Sequence, residues 1–132
     1  MTSTGRDVVI LACAMSAGIH GALAPAHFNE GAGAGVGFIA ATAALASLAF
    51  LIGRYLDSLV LLVGAAGVLG GLLASYALAT TTGLPVLHPD PEPVERLALA
   101  TKAIEAIGLL GATSLLWRLV AVTNTQPKGT LT

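Results

Sequence analysis

The side chains that could do chemistry are concentrated in one stretch, which reads His20-Gly-Ala-Leu-Ala-Pro25-Ala-His27-Phe-Asn-Glu30. It holds two of the chain's 3 histidines, and a carboxylate follows them. Neutral imidazole and carboxylate together suit Zn, Cu, Fe or Ni. The stretch therefore predicts a polar site with a transition metal as its first candidate ligand, although His-x6-His-x2-Glu is not a standard zinc signature.

A second polar group follows the third apolar run and consists of His88, Asp90, Glu92 and Glu95. A solvated loop histidine and carboxylates favoured at a helix start account for these residues at least as well as a ligand role does. His88 is kept as a possible additional metal ligand, because the predicted topology brings it to the same end of the molecule as His20 and His27.

Glu105 is an ionisable residue within the fourth apolar run. If the hydrocarbon begins near Leu97, Glu105 lies about 12 Å below that edge. Lys102, at i−3, can pair with it while reaching toward the surface. Two interpretations stay open. The first is structural, with Glu105 either paired with Lys102 or held protonated and hydrogen-bonded; the second is a proton-accepting or ligand-binding role connected to His20. The predicted metal ligands are His20, His27, Glu30 and Glu105.

The composition predicts the secondary structure that carries these residues. Of 132 residues, 55% are hydrophobic and only 10% are charged, against about 25% charged in typical soluble domains. About 20 helical residues span a bilayer, and helices satisfy their own backbone groups in lipid. The predicted fold is all-α, a single membrane-spanning four-helix bundle over residues 1–132 with a polar tail at 123–132. The predicted helices cover 8–24, 35–53, 59–80 and 93–122.

Two prolines set expected boundaries. Pro25 should end or kink the first helix, so that His27 and Glu30 form a turn at the membrane surface. His20 would then lie about 6 Å inside the helix end. Pro93 is well placed as the first residue of the fourth helix.

The basic residues predict the orientation. Arg6, Arg54, Arg118 and Lys128 fall on one side, and Arg96 falls on the other. The positive-inside rule then places both termini in the cytoplasm, in a multi-pass protein of the cell membrane. The formal net charge of −1 argues against a nucleic-acid partner.

Several short motifs occur in an order that resembles a known kind of protein. They are Gly-Ile-His20, Ala-Pro25-Ala-His27-Phe-Asn-Glu30, Thr82-Gly83-Leu84-Pro85, Pro-Glu92-Pro-Val94 and an internal Glu105. Together they resemble small four-helix integral membrane proteins common in actinobacteria, a family without an established activity. The resemblance implies the architecture and the choice of His20, His27, Glu30 and Glu105. His88 departs from the family pattern, in which Phe-Gly-Pro follows Gly-Leu-Pro.

Three functions are compatible with these features. The first is metal binding or handling, with Cu, Zn or Fe held at the predicted ligands. The second is an accessory subunit, whose glycine and alanine faces dock against the same chain or a larger membrane complex. The third is a small proton-coupled transporter that uses Glu105. An enzyme is not expected, because Ser16, Ser47 and Ser75 look like helix-packing residues and no nucleophile–base set is visible.

Overall fold

A computed structural model describes residues 3–55, 58–84, 91 and 93–125, and this part of the chain forms four helices. They are α1 (Ser3–Glu30), α2 (Ala32–Arg54), α3 (Leu59–Thr81) and α4 (Arg96–Thr125). Each of the four is long and apolar enough to cross a membrane. The predicted all-helical bundle is thus confirmed for the described residues.

The first three helices are joined with little intervening chain. Gly31 alone separates α1 from α2, and its amide donates to the His27 carbonyl at 3.1 Å. α3 begins after Ser58, whose hydroxyl accepts from the Leu61 amide at 3.4 Å. Such short connections make consecutive helices antiparallel neighbours. α4 runs antiparallel to α1, because His20 lies near Glu105 while Gly111 lies near Val9. The end of α1 and the start of α4 therefore lie at the same end of the bundle.

The predicted end of the first helix is wrong, because α1 continues through Pro25 to Glu30. Proline lacks an amide and removes one helical hydrogen bond. In lipid an irregular segment would leave several backbone groups without a hydrogen bond, whereas neighbouring groups can pair the one carbonyl that a proline inside a helix frees. His27 and Glu30 consequently belong to the last turn of α1 and not to a surface turn.

The start of the fourth helix also differs from the prediction. α4 begins at Arg96 and not at Pro93, and the Leu99 amide donates to the Glu95 carbonyl at 3.0 Å. Glu95 thus flanks the first turn and is exposed. The predicted positions of His88, Asp90 and Glu92 lie outside the described residues, as do those of residues 126–132.

The core of the bundle is small and apolar. α1 packs against α2 and α4, and α4 packs against α3. Fully buried members of this core include Val9, Cys13, Leu45, Leu62 and Leu69. Many large apolar side chains face outward, among them Phe50, Val60 and Trp117 at 72%, 77% and 78% exposed. An outward-facing apolar surface of this kind fits contact with lipid.

Gly108 sets the distance between α1 and α4. A Cβ atom at this position would lie 2.6 Å from the Cβ of Ala12 and 3.0 Å from a methyl of Leu69. The two helix backbones can therefore approach closely only because residue 108 has no side chain. Ala12 precedes Ser16 by one helical turn, and Glu105 precedes Gly108 by nearly one turn, so this contact brings Ser16 and Glu105 together.

Candidate functional site

The α1 side of the site consists of Ser16 and His20, which lie four residues apart on one helix face and are both buried. The Nδ1 atom of His20 is 2.9 Å from the Ser16 carbonyl oxygen. A carbonyl oxygen can only accept, so Nδ1 carries the hydrogen and donates. In neutral His20 the free lone pair is therefore on Nε2.

The α4 side is a carboxylate with a donor on each oxygen. The Ser16 hydroxyl donates to Oε1 of Glu105 at 2.7 Å, and the Lys102 ammonium donates to Oε2 at 2.6 Å. The Glu105 side chain is 0% exposed, and the Lys102 side chain is 15% exposed. An ionised carboxylate can stay in an apolar interior when it is paired and hydrogen-bonded in this way.

His20 and Glu105 face each other across the α1–α4 contact. Nε2 of His20 lies 3.8 Å from Oε1 of Glu105, with side-chain exposures of 7% and 0%. This separation is too long for a hydrogen bond. If His20 is neutral and Glu105 is ionised, Nε2 and Oε1 are both acceptors, and neither supplies a hydrogen to the other. The gap is suited to receive one proton.

Tyr76 extends the site toward α3. The Lys102 ammonium lies 5.6 Å from the centre of the Tyr76 ring, within the range of a cation–π contact. The Tyr76 hydroxyl is buried and has no hydrogen-bond partner among the described residues. Lys102 is thus positioned by both Glu105 and an aromatic face.

A second histidine–carboxylate pair lies nearer the end of α1. His27 donates from Nδ1 to the Leu23 carbonyl at 3.1 Å, and its Nε2 is 3.9 Å from Oε2 of Glu30. Both histidines of α1 thus bond to the carbonyl four residues earlier and direct Nε2 toward a carboxylate. Their spacing of seven residues places them on one face, about 10 Å apart along the axis.

The ring of Phe38, on α2, contacts both histidines. Its centroid is 5.1 Å from that of His20 and 3.7 Å from that of His27, and it stacks on the latter. An apolar ring therefore contacts the histidine of each pair.

The four predicted metal ligands form two separate pairs, His20 with Glu105 and His27 with Glu30. Across the described part of the chain, no three His, Cys, Asp or Glu side chains form a group that could hold a metal ion. Lys102 also places a positive charge on Glu105, where a metal would bind. As arranged here, these residues do not fit a shared metal site, and metal binding stays a prediction.

Sequence reasoning found Lys102, Glu105 and His20 but missed Ser16, which was assigned to helix packing. Ser16 is in fact the one described side chain that hydrogen-bonds Glu105 from another helix. Its position four residues before His20 was an available signal. Phe38 was also missed, since an apolar residue at a helical position looks the same whether it faces lipid or a histidine.

α1 and α4 supply every hydrogen bond described around Glu105. His20 lies ten residues before the end of α1 and Glu105 nine residues after the start of α4, so both are about 14 Å from the same end of the bundle. Comparison of the chain with protein-family models, curated proteins and solved structures gives no match.

Proposed function

We propose that this chain is an integral protein of the cytoplasmic membrane, with both termini inside, that binds and releases a proton between His20 and Glu105. In this proposal it acts as a small proton-coupled carrier. The distribution of basic residues supports the orientation. Ionisable residues buried at membrane depth typically belong to proton relays or substrate pathways.

The proposal rests on the 3.8 Å gap between Nε2 of His20 and Oε1 of Glu105. A proton entering the gap binds Nε2 and forms an imidazolium beside the carboxylate. The same proton can pass to Oε1, which restores neutral His20. Nδ1 keeps its own hydrogen in both cases, because that hydrogen is donated to the Ser16 carbonyl.

Proton binding would also change how α1 and α4 contact each other. A charge-assisted N–H···O bond is about 2.7 to 2.9 Å long, which is shorter than the present 3.8 Å separation. Uptake of a proton therefore draws the two side chains together, and release separates them. A carrier needs two such arrangements whose populations are shifted by its ligand.

The carboxyl group of Glu105 can be tested directly by infrared spectroscopy. The protein in lipid vesicles is titrated with acid, and the carbonyl stretch of protonated carboxyl groups is recorded. We expect a band that is lost in Glu105→Gln and altered in His20→Gln. Glu95→Gln is the matched control, because Glu95 is an exposed carboxylate at the start of the same helix.

Transport is tested with the same vesicles and a pH-sensitive dye inside. Proton uptake that depends on the protein and disappears in Glu105→Gln is the expected result. If Glu105 shows no proton-dependent band and uptake is unchanged in Glu105→Gln, the carrier proposal fails. The accessory-subunit interpretation would then be examined by copurification of a stable partner in mild detergent.

Metal binding has its own test, independent of proton uptake. Elemental mass spectrometry on protein purified without chelators or a metal-affinity tag should give one Zn, Cu or Fe per chain if the predicted ligands bind one. The metal should be lost in His20→Ala and in His27→Ala. Metal retained in both variants would exclude these histidines as ligands.

A further inference from the structure

We propose that His27 and Glu30 form the entry point through which protons reach the buried site, and that the Phe38 ring is the gate between them. This inference rests on the proposed function, since it supplies the path to the His20–Glu105 gap. It assigns the second histidine–carboxylate pair a role of its own.

The entry pair has the accessibility that the buried pair lacks. The side chains of His27 and Glu30 are 22% and 49% exposed, against 7% and 0% for His20 and Glu105. Both pairs have the same chemistry, because each histidine donates from Nδ1 to a helix carbonyl. Each therefore offers Nε2 as the atom that takes up a proton.

The two histidines have different neighbours. Ser16 from its own helix and Glu105 from α4 lie near His20, and Lys102 is hydrogen-bonded to Glu105. Glu30 on the same helix is beside His27, and α2 contributes the ring of Phe38. Glu30 and Glu105 thus place a carboxylate at each end of the path, and Phe38 is the apolar residue between them.

A benzene ring has no atom that can relay a proton. Transfer requires a chain of donors and acceptors with heavy atoms about 2.5 to 3.2 Å apart. With its ring against both imidazoles, Phe38 interrupts such a chain. Rotation of the ring would admit water between the two Nε2 atoms.

The transfer is balanced at each step. A proton from solvent binds Nε2 of His27, beside Glu30. When the ring of Phe38 moves, water accepts that proton and another proton passes from water to Nε2 of His20. His27 returns to its neutral form with Nδ1 still bonded to the Leu23 carbonyl.

The inference is tested by the rate of proton arrival at Glu105. Protons are released by light from a caged acid outside the vesicles, and the Glu105 carboxyl band is followed in time. We expect His27→Gln to slow its appearance about tenfold or more, and Phe38→Ala to accelerate it by about the same factor. Phe50→Ala is the matched control on α2, because Phe50 is 72% exposed, and it should leave the rate unchanged.

The outcomes separate this inference from the proposed function. If Glu105 takes up protons but neither His27→Gln nor Phe38→Ala changes the rate, the entry path is wrong and the proton site stands. A slower rate in Phe38→Ala would also overturn the gate. If the wild-type protein shows neither a proton-dependent Glu105 band nor proton uptake that is lost in Glu105→Gln, the proposed function itself fails.

Discussion

Replacing Lys102 by methionine is expected to lower the free energy of unfolding by about 3 to 5 kcal/mol. Methionine keeps a long unbranched side chain but removes the ammonium group that donates to Glu105 at 2.6 Å. Glu105 is 0% exposed, so water cannot solvate the carboxylate charge that is left without its partner. The measurement is reversible denaturation in mild detergent, followed by circular dichroism.

A second variant separates loss of the ion pair from loss of packing. Lys102→Met combined with Glu105→Gln removes both charges, and most of the stability should return because no buried charge is left unpaired. Arg96→Met is the control, since Arg96 is exposed at the start of the same helix, and a change within about 0.5 kcal/mol is expected. The ion pair would not be stabilising if Lys102→Met were as stable as the wild type. The same conclusion would follow if the double variant were no more stable than Lys102→Met alone.

The four helices could be predicted because lipid restricts the choice of structure. A run of the right length and composition has to be helical in a bilayer, whatever its detailed packing. The boundary at Pro25 was wrong for the same reason, since the rule that proline ends helices comes from proteins in water. That single error placed His20 too near the end of α1.

The site was predictable where its partners share a helix and unpredictable where they do not. Lys102 and Glu105 are three apart on α4, and their contact follows from helical periodicity. The contact of Ser16 with Glu105 depends on how α1 and α4 are rotated and how closely they approach. Phe38 depends in the same way on the rotation of α2. Hydrophobic periodicity cannot give these rotations when every helix face is apolar.

The second large effect on stability is expected at Gly108, where α1 and α4 approach closely. Gly108→Ala should lower the free energy of unfolding by about 1 to 3 kcal/mol, the usual range for overpacking. The new Cβ would lie 2.6 Å from the Cβ of Ala12, an atom fixed to the backbone that cannot rotate away. α4 must therefore shift, which lengthens the 2.7 Å bond from Ser16 to Glu105. This loss exceeds the gain in helix propensity from glycine to alanine, about 1 kcal/mol. Thermal unfolding in detergent and the Glu105 infrared band report the two consequences separately.

Two further variants test whether the destabilisation by Gly108→Ala comes from the contact with Ala12. Ala12→Gly removes the opposing Cβ, so the double variant Ala12→Gly with Gly108→Ala should recover stability and the wild-type infrared band, in a clearly non-additive way. Gly71→Ala is the control, because a Cβ there meets no atom within 4 Å and should be neutral or mildly stabilising. If Gly108→Ala is as stable as the wild type, the backbones of α1 and α4 are free to separate, and the His20–Glu105 gap is not held by their packing. If it is destabilised and Ala12→Gly gives no recovery, the strain lies against Leu69 and the contact with α1 does not set the geometry of the site.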